Sequence, residues 1–146
     1  MKFTTSVEIN SPLEKVVKLF ENPDNLGEWQ EGFVSLTPIS GKPGMTGAKS
    51  RIIFKNKKHT IELTETILSN NLPGEMKAIY EHKHMTNTMS NRFIALENDR
   101  TRYENEIHYT KLSLMPKIMS LIRPSIFTKP VQKWQNNFKE FVERSY

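Results

Sequence analysis

The chain of 146 residues has no cysteine, which excludes disulfides, thiol nucleophiles and cysteine-held metals. It also lacks any apolar run near the about 20 residues that a membrane-spanning helix needs. The opening MKFTTSVEIN alternates polar and apolar residues and has no apolar block of the signal-peptide kind. A cytoplasmic location is the expectation. Glycine is scarce, with six in all, and three of them fall in Gly41-Lys42-Pro43-Gly44-Met45-Thr46-Gly47. No GK[ST] follows, and the GxGxxG spacing is missing, so this stretch reads as a turn and not a phosphate cradle. His59, His82, His84 and His108 are the only histidines. His82 and His84 share a strand face, but no Asp or Glu is placed to complete three ligands, so neither a metal nor a cofactor is expected.

The length suits one domain, 1–146, with a sizeable core. The hydrophobic fraction of 36% is interleaved with polar residues, as amphipathic elements require. The net charge of +5 is uneven: residues 115–146 hold six Lys and Arg against two Glu. Such a tail attracts anionic membranes or nucleic acid, but the commoner reading is the solvated face of a core helix. Lys55, Lys57 and Lys58 crowd a hairpin tip without an aromatic stacking surface beside them, which argues against nucleic acid as a partner.

In chain order, Lys2–Asn10 alternates as a half-buried strand. Ser11-Pro12-Leu13-Glu14 then predicts a helix start, with Ser11 as cap and Glu14 completing a capping box. Leu13, Val16, Val17 and Phe20 form its buried stripe. Asn22-Pro23 ends it, and Asp24–Gln30 reads as a second short helix carrying Trp29. Six strands follow: Phe33–Ser40, Ala48–Lys55, His59–Ser69, Glu75–His84, Thr88–Glu97 and Thr101–Lys111.

A turn at Asn56-Lys57 sets Phe54 opposite His59 and Ile52 opposite Ile61. A turn at Met85–Thr88 sets Tyr80 opposite Phe93 and His82 opposite Asn91. A turn at Asn98-Asp99-Arg100 sets Phe93 opposite Asn105 and Asn91 opposite Ile107. One face then carries Met76, Ala78, Tyr80, His82, Met89, Asn91, Phe93, Tyr103, Asn105, Ile107 and Tyr109. The other face carries charges of opposite sign across from one another.

In the tail, Val131, Trp134, Phe138, Phe141 and Val142 form one helical stripe, with Gln135, Asn136, Lys139 and Glu143 assigned to water. Met115, Ile118, Met119 and Ile122 continue an apolar face upstream, also expected to turn inward. Pro124 and Pro130 predict a kink or break between them. A run of strands without alternating helices implies an α+β antiparallel sheet with its helices on one side.

Ser11-Pro12-Leu13-Glu14-Lys15-Val16, then Asn22-Pro23-Asp24-Asn25-Leu26 and Trp29, resemble the start of SRPBCC proteins, the START-related, pollen-allergen-like and polyketide cyclase/dehydrase group. The pair Arg92-Phe93 and Thr101-Arg102-Tyr103, and the terminal helix, match as well. The resemblance spans the whole chain. It implies a helix-grip fold: a seven-stranded curved antiparallel sheet wrapped around a long C-terminal helix, with two short helices after the first strand. It further implies a cavity for a small hydrophobic molecule of lipid, isoprenoid or polyketide class. The family has no universal catalytic motif to carry over.

The residues expected to line the cavity are Trp29, Phe54, Leu63, Tyr80, His82, Asn91, Phe93, Asn105, Ile107, Met119, Phe127 and Trp134. Trp29, Met45, Met115, Met119 and Phe127 are placed at its mouth. Asn91 and Asn105 either orient a ligand or hydrogen-bond within a filled core. Glu65 has the parity of Leu63 and Ile67; it is an acid or base if buried, but is expected to be wet near the sheet edge. The leading expectation is non-catalytic binding or carriage of the hydrophobic molecule. A cyclase/dehydrase-like enzyme using Glu65, His82 or a tyrosine is the alternative, and a basic module at a membrane surface or a partner is a third.

Overall fold

The computed structural model describes all of residues 1–146. A seven-stranded antiparallel sheet is ordered β1-β7-β6-β5-β4-β3-β2, from β1 (Lys2–Ile9), β2 (Phe33–Ser40), β3 (Lys49–Lys55), β4 (Thr60–Asn71), β5 (Glu75–Glu81), β6 (Met85–Leu96) and β7 (Arg100–Leu112). Between β1 and β2 come α1 (Leu13–Glu21), a turn of 3₁₀ helix and the single-turn α2 (Leu26–Trp29); α3 (Leu114–Ile122) and α4 (Ser125–Arg144) end the chain. No helix is long and apolar enough to cross a membrane. This is the helix-grip architecture.

The strand faces agree with expectation, but three registers slide by an even number of residues. Asn56 Oδ1 accepts the amides of Lys58 and His59, closing a four-residue loop, so Phe54 meets Ile61 and Ile52 meets Leu63. The β5–β6 turn falls at Lys83-His84, where His82 and Met85 exchange backbone hydrogen bonds; Tyr80 therefore lies opposite Asn87, and Asn91 opposite Met76. Asn98 and Asp99 adopt left-handed φ of 61° and 54°, which Asn and Asp tolerate, so the β6–β7 turn is centred one residue early. Asn91 then meets Asn105, and Phe93 meets Tyr103. Even shifts preserve the side-chain faces. On the outer face a charged ladder runs Lys2–Glu106–Arg92–Glu75, with ion-pair distances of 3.1–3.3 Å.

Ser11 does not cap α1. The helix begins one residue later, with Pro12 at its N-cap and no side-chain cap; the Ser11 carbonyl accepts from Thr101 Oγ1 at 2.8 Å. The core lies where α1, α2 and α4 meet β1, β6 and β7, and comprises Ile9, Val16, Trp29, Phe93, Tyr103, Phe138, Phe141 and Val142. Phe20 is its aromatic hub, with ring centroids 4.9 Å from Phe93, 5.8 Å from Tyr103 and 5.9 Å from Phe138.

Two expectations for the tail fail. Gln135 is 1% exposed, because it follows Val131 by four residues and so sits inside the apolar stripe; its Nε2 donates to the Tyr103 carbonyl. The chain breaks at Arg123-Pro124, and Pro130 lies within α4, in its second turn, without ending the helix. Polar side chains moor α4 along β1: Gln132 Nε2 donates to the Ser6 carbonyl, Lys139 Nζ to the Glu8 carbonyl, and the Asn10 amide to Glu143 Oε2.

Candidate ligand site

Because α4 is moored to the β1 side, the concave face of β3, β4 and β5 has no continuous helix over it. Phe54, Leu63, Glu65, Tyr80, Asn87 and Met89 project from this face half-buried, and Ile61 is 36% exposed. Two aromatic pairs bracket the region. Phe54 of β3 stacks on Trp134 of α4 at 5.3 Å and 23°. At the other side Tyr109 of β7 meets Phe127 of α4 edge-on at 5.1 Å.

Cross-strand pairing arranges the inner face in alternating rows. One polar row runs Ser50, Glu65, Tyr80, Asn87, Tyr109 across five strands. An apolar row of Ile67, Ala78, Met89, Ile107 and Phe3 lies beside it. A second polar group, Asn91, Asn105 and Thr5, follows, and then Phe93, Tyr103 and Val7 lead into the core.

Within the first row, the Tyr80 hydroxyl donates to Glu65 Oε2 at 2.8 Å. Burial pushes the Glu65 carboxyl above its ordinary range, and the Tyr80 hydrogen bond offsets part of that rise. The Tyr80 phenol is raised well above its ordinary value, first by burial and then by the Glu65 charge. The expectation that Glu65 is wet is thus overturned. Strand parity pointed it inward, and its position on a central strand keeps it from the edge.

In the second polar group, the Tyr103 hydroxyl donates to Asn91 Oδ1 at 2.6 Å. Burial also raises the Tyr103 phenol, with an Asn105 hydrogen bond offsetting part. Asn105 Oδ1, Thr5 Oγ1 and Gln135 Oε1 are buried without a hydrogen-bond partner. Unpaired buried oxygens are rare in native folds and mark a place where water or a ligand group completes the network.

The expected lining residues divide accordingly. Phe54, Leu63, Tyr80 and Trp134 lie half-buried at the inner face, with Phe127 against Tyr109 at one side. Ile107, Asn91 and Asn105 form its floor, where all three are buried. Trp29 and Phe93 belong instead to the core; Trp29 packs on Phe138 at 5.1 Å and is 5% exposed, so it stands at no mouth. His82 lies in the β5–β6 turn, where its Nδ1 accepts the His84 amide, and it does not line the concavity. No group of three His, Asp or Glu side chains is close enough to hold a metal ion. Met119 is half-buried on the inner side of α3, whereas Met45 and Met115 point to solvent. Met89 was expected on the inner face but not in the lining, and Asn87 was expected in the Met85–Thr88 turn; the earlier turn at Lys83-His84 puts Asn87 on β6 opposite Tyr80.

No family model matches the chain, and no curated protein matches its sequence. Solved structures match its shape closely. A conserved protein from Geobacillus kaustophilus superposes with a TM-score of 0.81 at 11% identity, covering 99% of this chain and 97% of that one. The Zhui aromatase/cyclase from Streptomyces sp. R1128 gives 0.79 at 10% identity, with 99% and 94% covered. Norcoclaurine synthase from Thalictrum flavum, in complex with dopamine and hydroxybenzaldehyde, gives 0.73 at 15% identity, with 100% and 88% covered. The fold that the chain shares with these structures is the helix grip.

Proposed function

We propose that the chain binds a small, mainly apolar molecule on the concave face between β3–β6 and α4. The single observation behind this reading is the Glu65–Tyr80 pair, set in a half-exposed surface of Phe54, Leu63, Met89 and Trp134. Ligand sites typically combine an apolar lining with a few convergent polar groups. Phe54–Trp134 and Tyr109–Phe127 flank a flat ring or an acyl segment, and Glu65 with Tyr80 receives its hydroxyl or carbonyl. The norcoclaurine synthase neighbour, crystallised with two aromatic molecules, favours an aromatic or polyketide-like guest over a saturated chain. A thermal-shift screen of phenolic polyketides, isoprenoids and fatty acids, followed by native mass spectrometry, tests the proposal. The expected result is a one-to-one complex that Leu63→Arg abolishes; no shift with any class overturns it.

The enzyme reading rests on the same pair. A carboxyl with a raised pKa, 2.8 Å from a phenol, is equipped to pass a proton to or from a bound carbonyl compound. If turnover of a bound guest is found, Glu65→Gln retains binding and loses the rate. A variant that keeps full rate removes Glu65 from the chemistry.

A further inference from the structure

Leu114, Met115, Ile118, Leu121 and Ile122 of α3 recur at i, i+1, i+4, i+7 and i+8, which places them on one helical face. That face points outward. Leu121 is 79% exposed, Ile122 74%, Leu114 72% and Met115 65%, and Ile118, at the middle of the stripe and flanked by these side chains, is 37% exposed. Half-buried Pro116, Met119 and Ser120 are turned toward the protein instead. The helix is therefore inside-out relative to α4, and the expectation that Met115, Ile118 and Ile122 turn inward is reversed. Ile126, just past the break at Pro124, extends the apolar patch. Contiguous exposed apolar surface of this kind marks an interaction site.

The surrounding charge selects the occupant. From Ile107 to Lys139 the chain contains no Asp or Glu, but it carries His108, Lys111, Lys117, Arg123, Lys129, Lys133 and Lys139. Lys133 pairs with Glu31 and Lys139 with Glu143, whereas Lys111, Lys117, Arg123 and Lys129 enter no ion pair. An apolar helical face set among unpaired cations matches the interface of an anionic bilayer, where the side chains enter the acyl boundary and the cations meet the headgroups. Two copies apposed through this face would bring like charges together. We propose that α3 docks the protein on an anionic membrane surface, with Leu114, Met115, Leu121 and Ile122 inserted. The inference does not depend on the ligand reading. It does put the Tyr109–Phe127 side of the concavity, next along the chain from α3, nearest the lipid.

Because the chain has no cysteine, Ile122→Cys provides a unique label site. The labelled protein, carrying an environment-sensitive fluorophore, is mixed with phosphatidylcholine vesicles with or without about 30% phosphatidylserine. The expected result is a blue shift and co-sedimentation with the phosphatidylserine vesicles alone, weakening about tenfold or more at high salt. The unlabelled variant carrying Leu121→Asp and Ile122→Asp, both at exposed positions, keeps its circular dichroism spectrum and stays in the supernatant. Any of three results overturns the proposal: no blue shift, equal binding to pure phosphatidylcholine, or undiminished sedimentation of the double variant. A dimer that dissolves in the double variant overturns it too, by assigning the face to a second copy.

Discussion

Glu65 and Tyr80 stand directly opposite on β4 and β5, and their hydrogen bond is worth most where water is scarce. Because burial raises the carboxyl above its ordinary value of 4.5, the folded chain holds this proton more tightly than the unfolded chain does. The contribution of Glu65 to stability is therefore greatest at low pH and falls as pH rises through the window above 4.5. Glu65→Gln removes that slope. The melting temperature of the variant relative to the native chain should climb with pH across this window; a difference that is flat or shrinks contradicts a buried carboxyl. The Tyr103–Asn91 bond makes a different prediction. Tyr103→Phe leaves the buried Asn91 amide oxygen without its phenol donor, so it should cost about 1–3 kcal/mol in urea unfolding. A cost below about 0.5 kcal/mol would mean that the amide finds another donor, such as water.

At the scale of elements, α3 and α4 carry similar apolar stripes and use them in opposite ways. Phe138 on α4 is fully buried among Phe20, Trp29 and Tyr103, so Phe138→Ala should cost about 3–5 kcal/mol. Ile122→Ala on α3 should change stability by no more than about 0.5 kcal/mol, since Ile122 is 74% exposed. Urea denaturation of the two variants checks the contrast, and equal costs would place α3 in the core. Periodicity identified both stripes because it reports which residues share a face. It is silent on which way the face turns, and that depends on the break at Arg123-Pro124. The same limit explains the strands. Period-two alternation fixed inner and outer faces, but the registers depended on loops closed by the Asn56 side chain and by the left-handed Asn98 and Asp99.

For the whole molecule, the helix grip was legible because its architecture is written in order and pattern: one strand, short helices, six strands, a terminal amphipathic helix. The site was legible only in part. Inward parity placed Phe54, Leu63, Tyr80 and Asn105 on the face proposed to hold the guest, while Phe93, equally inward, and Trp29 of α2 pack in the core around Phe20. His82 was lost to a turn three residues earlier than its sequence suggested. What no periodicity contains is that α4 lies along β1, moored by Gln132, Lys139 and Glu143, and leaves β3–β5 uncovered. That offset leaves uncovered the face proposed to hold the guest, which would otherwise be the second half of a core. The most direct test is an amide and methyl chemical-shift titration with the tightest guest from the ligand screen. The account predicts the largest shifts at Leu63, Glu65, Tyr80, Asn87 and Met89, with α1 and the outer charged ladder unmoved. Shifts confined to surfaces outside the grip would contradict it.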